Sequence, residues 1–349
     1  DFAQRLFTAT LSAAETMSVY LGERLGWYAD LAAHGPTTAV DLAERTGTSA
    51  RYAREWLEMQ SAFGILDTEL TETPTFTLPE GAREVMLDEQ SLNYLGALPR
   101  IFAAAFRQLP ALLDAYRTGG GVSWEQFGAD ARECQAALNR PWFSRELAPA
   151  LAGVEHLDGR LRVPDARIAD VGCGGGWSSI ALAQAYPRLR VDGVDVDAPS
   201  LVAARANAAA AGVADRVSFT LADGDSLARQ GPYDAVFAFE CLHDMPRPVD
   251  VLAAARASLA DWASMIVMDE AVGEEFAGPA DELDRLMYAF SLFVCLPDGM
   301  SSTPSAATGT VMRRSTVETY ARDAGFREVR VLPIEDFSFF RFYELATAA

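Results

Sequence analysis

The stretch "DVGCGGGWSS", residues 170–179, decides the fold of this 349-residue chain. It follows the short apolar run "ARIA" and precedes "IALAQAYP", a segment that favours a helix. Glycine-rich turns between a strand and a helix bring backbone N–H groups close to a ligand, and α/β proteins commonly hold nucleotides there. The stretch therefore predicts a nucleotide-binding α/β domain, and the residues around it must identify the nucleotide.

Strand-like and helical segments alternate after residue 165. Alternation at this spacing predicts a parallel sheet with helices on both faces, and we expect this α/β domain to cover 165–349. The predicted helices are 177–186, 199–211, 249–260 and 315–324, and the predicted strands are "ARIADVG", "LRVDGVD", "VSFTLAD", "YDAVFAFE", "SMIVMDE", "REVRVLPI" and "FRFYEL".

The patterns before residue 165 are helical. Residues 37–66 predict a helix, a turn at Gly47 and a second helix, and residues 67–81 predict a short hairpin, which together outline a winged helix. We therefore expect a helical winged-helix dimerisation domain at 1–95. Residues 96–164 are helical again apart from a glycine-rich break at 118–123, and we expect them to form a linker and a lid over the substrate.

Composition argues against several classes of partner and chemistry. The net charge of −20 disfavours nucleic acids and anionic membranes, which both attract basic surfaces. All 29 basic residues are arginine, so a phosphate-binding P-loop lysine and Schiff-base chemistry are excluded. The four cysteines show no C-x-x-C spacing, and the sequence shows no signal peptide. We therefore expect a cytoplasmic protein without a membrane anchor.

The glycine spacing discriminates among the remaining nucleotides. A dinucleotide fingerprint G-x-G-x-x-G would need glycine at Trp177, where close packing of a helix on its strand disfavours tryptophan. The observed pattern is D-x-G-x-G-x-G from Asp170 to Gly176, and its acid suits a ligand with positive charge better than a pyrophosphate. Asp195, 23 residues after the first glycine, is positioned to accept ribose hydroxyls, with Asp197 as the alternative in register.

These motifs carry a family resemblance. The segments "DVGCGGGWSSIALAQAYP", "VDGVDVD" and "LADGD" resemble those of class I S-adenosylmethionine-dependent methyltransferases. The resemblance implies a Rossmann-like, seven-stranded sheet, S-adenosylmethionine as donor and S-adenosylhomocysteine as product. It implies that Asp170 lies near the methionine part, Asp195 on the ribose and Asp223 on the adenine. The predicted donor-binding residues are Asp170, Gly172, Gly174, Gly176, Asp195, Asp223, Gly224 and Glu240.

The helical part strengthens the resemblance. Actinobacterial small-molecule methyltransferases resemble this chain both in the helical part, at "AVDLAERTGTSARYAREWLEMQSAFGIL", and near the C-terminus, at "ATGTVMRRSTVETYARDAGF". In that group the helical domain dimerises and covers the substrate. This resemblance implies a homodimer that acts on a small-molecule acceptor in specialised metabolism.

Candidate catalytic residues follow the fourth predicted strand, in "FAFECLHDMP". His243 is the predicted general base because an ordinary imidazole titrates near neutrality, and its "HD" pair resembles that of plant-type O-methyltransferases. We expect Asp244 to orient rather than react, and Glu270 to orient His243 or bind substrate, ahead of Asp269. No metal ligand set is predicted, since no second histidine is evident. Val294 stands where we expect histidine in many relatives.

The sequence thus predicts O-methylation of a small molecule with His243 as base. Methylation on carbon or nitrogen, and a non-methylating reaction on the same fold, remain alternatives because fold and donor do not determine the reaction. A winged-helix regulator that senses a ligand is a further alternative, which the acidic charge disfavours.

Overall fold

The computed structural model describes residues 1–347, which fold into two compact units. The N-terminal unit contains Asp1–Ala104 and Glu133–Pro141, and the C-terminal unit contains Ala105–Arg132 and the chain from Trp142 onward. The segment 96–164 therefore contributes to both units instead of forming a separate linker. The division differs from the expected boundaries at 95 and 164 because tertiary contacts, which local patterns do not report, define a unit. The expected roles of the three segments stay predictions.

The N-terminal unit has the predicted helix-turn-helix and hairpin. Thr38 accepts the amide of Asp41 and so caps the helix that follows it, and Gly47 ends that helix with a left-handed φ of 67°. Residues 67–69 and 75–77 pair antiparallel as the wing. The elements in chain order are α1 (Phe2–Arg24), α2 (Trp27–His34), α3 (Ala39–Thr46), α4 (Ala50–Ala62), β1 (Asp67–Glu69), β2 (Thr75–Thr77) and α5 (Glu80–Leu87).

Trp56 of α4 organises the core of this unit. Its ring packs against Trp27 and Tyr28, with centroids 4.8 and 5.1 Å away. Its indole N–H donates to the carbonyl of Ser18 in α1 at 2.9 Å, which satisfies the buried donor. Trp56 therefore joins α1, α2 and α4 in one core.

Six helices continue the chain up to the sheet. The longest ends at Trp142 and runs into a π-helical turn, Phe143–Leu147. The helices are α6 (Pro99–Arg107), α7 (Leu109–Thr118), α8 (Trp124–Phe127), α9 (Ala129–Trp142), α10 (Ala148–Ala152) and α11 (Glu155–Leu161).

The C-terminal unit is built on a seven-stranded sheet in the order β5-β4-β3-β6-β7-β9-β8, and all seven predicted strands are present. The strands β3 to β7 run parallel, and β9 is antiparallel to both of its neighbours. The strands are β3 (Arg167–Val171), β4 (Arg190–Asp195), β5 (Val217–Leu221), β6 (Tyr233–Phe239), β7 (Leu259–Glu270), β8 (Glu328–Val331) and β9 (Phe340–Ala346). The helices are α12 (Trp177–Ala185), α13 (Ala198–Ala210), α14 (Pro248–Ser258), α15 (Glu282–Phe290), α16 (Leu296–Gly299) and α17 (Arg314–Asp323).

Both faces of the sheet are buried, as helices on each side require. Alternate residues of β6 belong to separate clusters, with Phe237 on one face and Val236 on the other. Each such fully buried side chain stabilises the fold by about 1.5–3 kcal/mol relative to exposure. No helix within residues 1–347 has the length and apolar character needed to cross a bilayer.

The order of the strands places the site. Neighbouring β4 and β6 lie on opposite sides of β3, so the chain reverses direction across the sheet at this strand. In open α/β sheets, a crevice forms outside the carboxyl ends of the strands at such a reversal, and ligands bind there. The glycine-rich turn follows β3 directly.

Candidate active site

The turn after β3 has the left-handed backbone that its glycines allow. Gly172 and Gly174 have φ values of 69° and 49°, a region that side chains with a Cβ rarely adopt. A Cβ on Gly172 would lie 2.8 Å from the Cβ and Sγ of Cys241, whereas a Cβ on Gly174 would meet no atom within 4 Å. The turn is therefore packed at its first glycine and open at its second.

Asp195, the last residue of β4, ties the turn to the next strand. Its carboxylate accepts the amides of Gly174 and Asp197, both at 2.8 Å. Burial is the main cause that raises the pKa of Asp195, and these backbone donors oppose it. Asp197, the alternative in register, instead caps α13 through Ser200 and pairs with Arg132 at 2.7 and 2.8 Å. This difference leaves Asp195 as the better candidate for the ribose.

Asp170 lies beneath the turn and is 1% exposed. Its Oδ2 accepts the hydroxyls of Ser178 and Ser179, both at 2.6 Å, while its buried Oδ1 has no hydrogen-bond partner. Burial raises the pKa of Asp170 to about 6, and the two hydroxyls oppose that rise. The unpartnered oxygen at this position fits a nearby ligand that carries a hydrogen-bond donor.

The remaining predicted donor residues have varied surroundings. Asp223 caps a short 3₁₀ helix, Gly224–Arg229, and its exposed carboxylate pairs with Arg247 at 3.1 Å. A Cβ on Gly224 would lie only 2.7 Å from a side-chain carbon of Val251, so glycine at this position allows close packing. Glu240, which follows β6, has a φ of 51°. Arg247, the arginine of "MPRP", carries no sequence signal that predicts its contact with Asp223.

His243 lies in a 3₁₀ turn, Leu242–Asp244, just after β6, and is 2% exposed. Its Nδ1 is 2.8 Å from Asp269 Oδ1 and 3.3 Å from Glu270 Oε2, and its Nε2 is 3.3 Å from Asp244 Oδ1. Burial opposes the imidazolium, but the three carboxylates outweigh it and raise the pKa of His243 well above its usual range. The near-neutral titration assumed from the sequence therefore does not describe this environment.

The carboxylates around the imidazole differ from the expected ranking. Asp269 at 2.8 Å is a closer partner of Nδ1 than Glu270, although the sequence favoured Glu270. Burial raises the pKa of Glu270 well above its usual value, while His243 keeps that of Asp269 low despite burial. Asp269 is therefore the charged partner of the ring. Cys295, whose thiol lies close to Asp244 and His243, joins this group without any motif in the sequence that would predict it.

The aromatic residues near the sheet belong to the core. Phe143 is buried against Phe239 and Phe337, with centroids 5.4 and 6.4 Å away, and Trp142 packs on Phe337 at 5.6 Å. Val294, which replaces the expected histidine, is buried in a π-helical turn, Ser291–Cys295. No imidazole is therefore supplied from that turn.

Comparison with known proteins identifies both parts of the chain. Residues 168–261 match the family profile described as a methyltransferase domain, and residues 13–87 match that of an Rv2258c-like winged HTH domain. The chain carries a methyltransferase domain preceded by a winged helix. These matches confirm the predicted family and the predicted fold class.

Individual relatives agree with the methyltransferase domain. The ubiquinone biosynthesis O-methyltransferase of Colwellia psychrerythraea is 34% identical over 101 residues, which is 29% of this chain and 40% of that protein. The chain thus spans less than half the length of this curated relative. The mitomycin 7-O-methyltransferase MmcR has a similar structure, with a TM-score of 0.78, 21% identity and coverage of 99% and 98% of the two chains. Human N-acetylserotonin methyltransferase, solved with S-adenosylmethionine, has a TM-score of 0.69 and is 18% identical, with coverage of 100% of this chain and 99% of that chain.

Proposed function

We propose that this protein transfers a methyl group from S-adenosylmethionine to a hydroxyl of a small molecule and releases S-adenosylhomocysteine. The observation that carries the proposal is the methyltransferase domain with an open glycine turn at Gly174, beside Asp195 and close to the strand that precedes His243. The names of the O-methyltransferases to which the chain is similar support oxygen as the acceptor atom.

The residues around the turn fit this donor. A Cβ on Gly174 would meet no protein atom within 4 Å apart from its chain neighbours, and the unpartnered Oδ1 of Asp170 would accept a hydrogen bond from the amino group of the methionine part. Asp195 would hold the ribose and Asp223 the adenine, with Gly172, Gly176, Gly224 and Glu240 completing the predicted set. When bound, the donor supplies a methyl group on a positively charged sulfur, which an acidic site attracts.

His243 is the proposed base. Because the carboxylates raise the pKa of His243, the ring can act as a base only after its extra proton has left, so turnover should rise with pH. The neutral ring would then take the hydroxyl proton at Nε2 as the oxygen forms its bond to the methyl carbon and the sulfur retains the electron pair of the broken bond. Asp269 would hold Nδ1–H and so orient the ring, while Glu270 and Asp244 complete its carboxylate surroundings. The side chain of Asp244 is 33% exposed, so the acceptor would approach from this side of the imidazole.

A homodimer is part of the proposal, and α1 supports it. Every residue from 1 to 14 is exposed, among them Phe2, Leu6, Phe7 and Leu11. A helical stretch that buries nothing is marginal in water, so a second copy that covers these side chains would stabilise it. Sedimentation velocity should show a dimer for the natural protein and a smaller species for Leu6→Asp. A monomeric natural protein would contradict the proposal.

The physiological setting also stays a proposal. We propose a small-molecule acceptor from specialised metabolism and a reducing, cytoplasmic compartment. The four cysteines, all within the described residues, form no disulfide, which supports a reducing compartment.

The products identify the reaction. Full-length protein is incubated with a donor carrying a trideuterated methyl group and a panel of phenols, alcohols, amines and activated carbon acids. We expect a product with the labelled methyl on oxygen, and a fall in kcat of about 10²- to 10⁴-fold for His243→Ala with donor binding intact. Methylation only on nitrogen or carbon would overturn the choice of acceptor atom, and unchanged turnover in His243→Ala would overturn the base.

A further inference from the structure

The proposed base, His243, is part of a cluster of side chains that can bind a metal ion. We propose that His243, Asp244 and Cys295 form a binding site for a divalent d-block ion of the Zn²⁺ class. One ring nitrogen, one carboxylate oxygen and the Sγ of these residues all lie within 4.8 Å of one another. No spacing pattern in the sequence points to this thiol, which comes from a π-helical turn 52 residues downstream of His243.

The distances favour this set over its neighbour. Two nitrogen or oxygen ligands of a tetrahedral Zn²⁺ lie about 3.3–3.4 Å apart, and His243 Nε2 is 3.3 Å from Asp244 Oδ1. His243, Asp269 and Glu270 also lie close together, but Nδ1 is 2.8 Å from Asp269 Oδ1, a hydrogen-bond distance too short for two ligands of one ion. Once Nε2 has lost its proton, Nδ1–H donated to Asp269 leaves the lone pair on Nε2, which is the arrangement that metal-binding histidines commonly have.

Two buried oxygens lie beside these ligands. Oδ1 of Asp244 makes no hydrogen bond of good geometry and faces Nε2 of His243 at 3.3 Å, with the Cys295 thiol also against this carboxylate. The Asp244 side chain as a whole reaches solvent and gives an ion a path inward. The hydroxyl of Thr310, which is 1% exposed, lies against the Cys295 thiol and has no other partner. That hydroxyl is placed to donate to a thiolate once an ion binds the sulfur.

The donor types select the ion. One imidazole, one carboxylate and one thiolate suit Zn²⁺ or Co²⁺, whereas Mg²⁺ and Ca²⁺ prefer oxygen ligands. Three protein ligands leave a fourth position for water. On binding, the thiol proton and any proton on Nε2 leave to solvent, so the ion replaces protons and no redox change occurs.

The ion would inhibit the proposed transfer. Nε2 has one lone pair, which cannot bind an ion and accept the hydroxyl proton at the same time. This consequence rests on the proposed function, but the binding itself does not. We therefore expect Zn²⁺ to inhibit methyl transfer reversibly, with activity restored by a chelator.

Titration with Co²⁺, followed by absorption, tests the site in the full-length protein. We expect saturable binding of one ion, intense visible bands of a tetrahedral centre and a near-ultraviolet band from thiolate ligation. Cys295→Ser should lose the near-ultraviolet band and bind at least about 10-fold more weakly. Cys134→Ser, which alters a buried cysteine of the N-terminal unit, is the matched control and should keep the band.

The outcomes separate this proposal from the proposed function. Absence of saturable Co²⁺ binding, or an unchanged near-ultraviolet band in Cys295→Ser, would overturn the metal site whatever the activity. If Cys295→Ser does not fold, Asp244→Asn provides the second test, since it keeps the sulfur band but should weaken binding. Normal Co²⁺ binding by a protein that binds no S-adenosylhomocysteine would leave the metal site standing and overturn the methyltransferase proposal.

Discussion

Alanine at Gly174 separates donor binding from folding. The residue has a φ of 49°, and a left-handed alanine costs about 1–2 kcal/mol. Since the added Cβ meets no atom within 4 Å, that backbone strain is the whole expected loss of stability, which lowers Tm by about 2–8 °C for a unit of this size. The variant keeps the amide that donates to Asp195, so the turn itself should persist.

The same methyl group should obstruct the donor. It would occupy the space above the turn, where overpacking typically costs about 1–3 kcal/mol, or about 5- to 150-fold in affinity. Calorimetry with S-adenosylhomocysteine measures this loss against the natural protein, and thermal unfolding measures the stability. Gly172→Ala is the matched control, because it adds the same strain and also places a Cβ 2.8 Å from Cys241.

The two variants should therefore differ in how much stability they lose. Gly172→Ala should lose more stability than Gly174→Ala, because the clash adds to the same backbone strain. If Gly174→Ala binds S-adenosylhomocysteine as tightly as the natural protein, the donor does not lie over this turn. If it is as unstable as Gly172→Ala, the open space inferred at residue 174 is wrong.

Two further predictions concern buried carboxylates. Asp269→Asn should lower kcat by about 10²- to 10⁴-fold, and by more than Glu270→Gln does. The reason is that Asp269 is the closer, charged partner of His243 Nδ1. Equal effects of the two substitutions on kcat in a steady-state assay would contradict that ranking. The pKa of Asp170 is raised to about 6, so the folded state binds the carboxyl proton more tightly than the unfolded state does. The stability that this proton contributes is therefore present at low pH and is lost as pH rises through about 6. In urea unfolding between pH 4 and 8, the natural protein should lose about 2 kcal/mol more than Asp170→Asn, and parallel pH profiles would refute this cause.

Periodic patterns explain why so much of the architecture could be predicted. The seven strands are segments rich in β-branched and other apolar residues that alternate with helical segments, and the candidate donor residues lie at or just after the ends of β3, β4, β5 and β6. The D-x-G-x-G-x-G spacing, the absence of lysine and Trp177 together excluded the competing nucleotide turns. These signals are local, so they did not depend on knowing the tertiary structure.

The surroundings of His243 depend on contacts that the sequence does not encode locally. Asp269 and Glu270 are adjacent at the end of β7, and only the register of that strand against β6 decides which carboxylate reaches Nδ1. Cys295 comes from a π-helical turn whose extra residue shifts the helical register, so helical periodicity does not predict where its thiol points. The raised pKa of the imidazole follows from these three-dimensional neighbours and not from residue type.

Calorimetric titration of the natural protein with S-adenosylhomocysteine tests the central claim most directly. We expect saturable binding of one molecule per chain with a Kd in the micromolar range or tighter, which is a binding free energy of about −8 kcal/mol or more favourable. Absence of binding heat for both S-adenosylhomocysteine and S-adenosylmethionine at millimolar concentration, from protein with a cooperative unfolding transition, would contradict it.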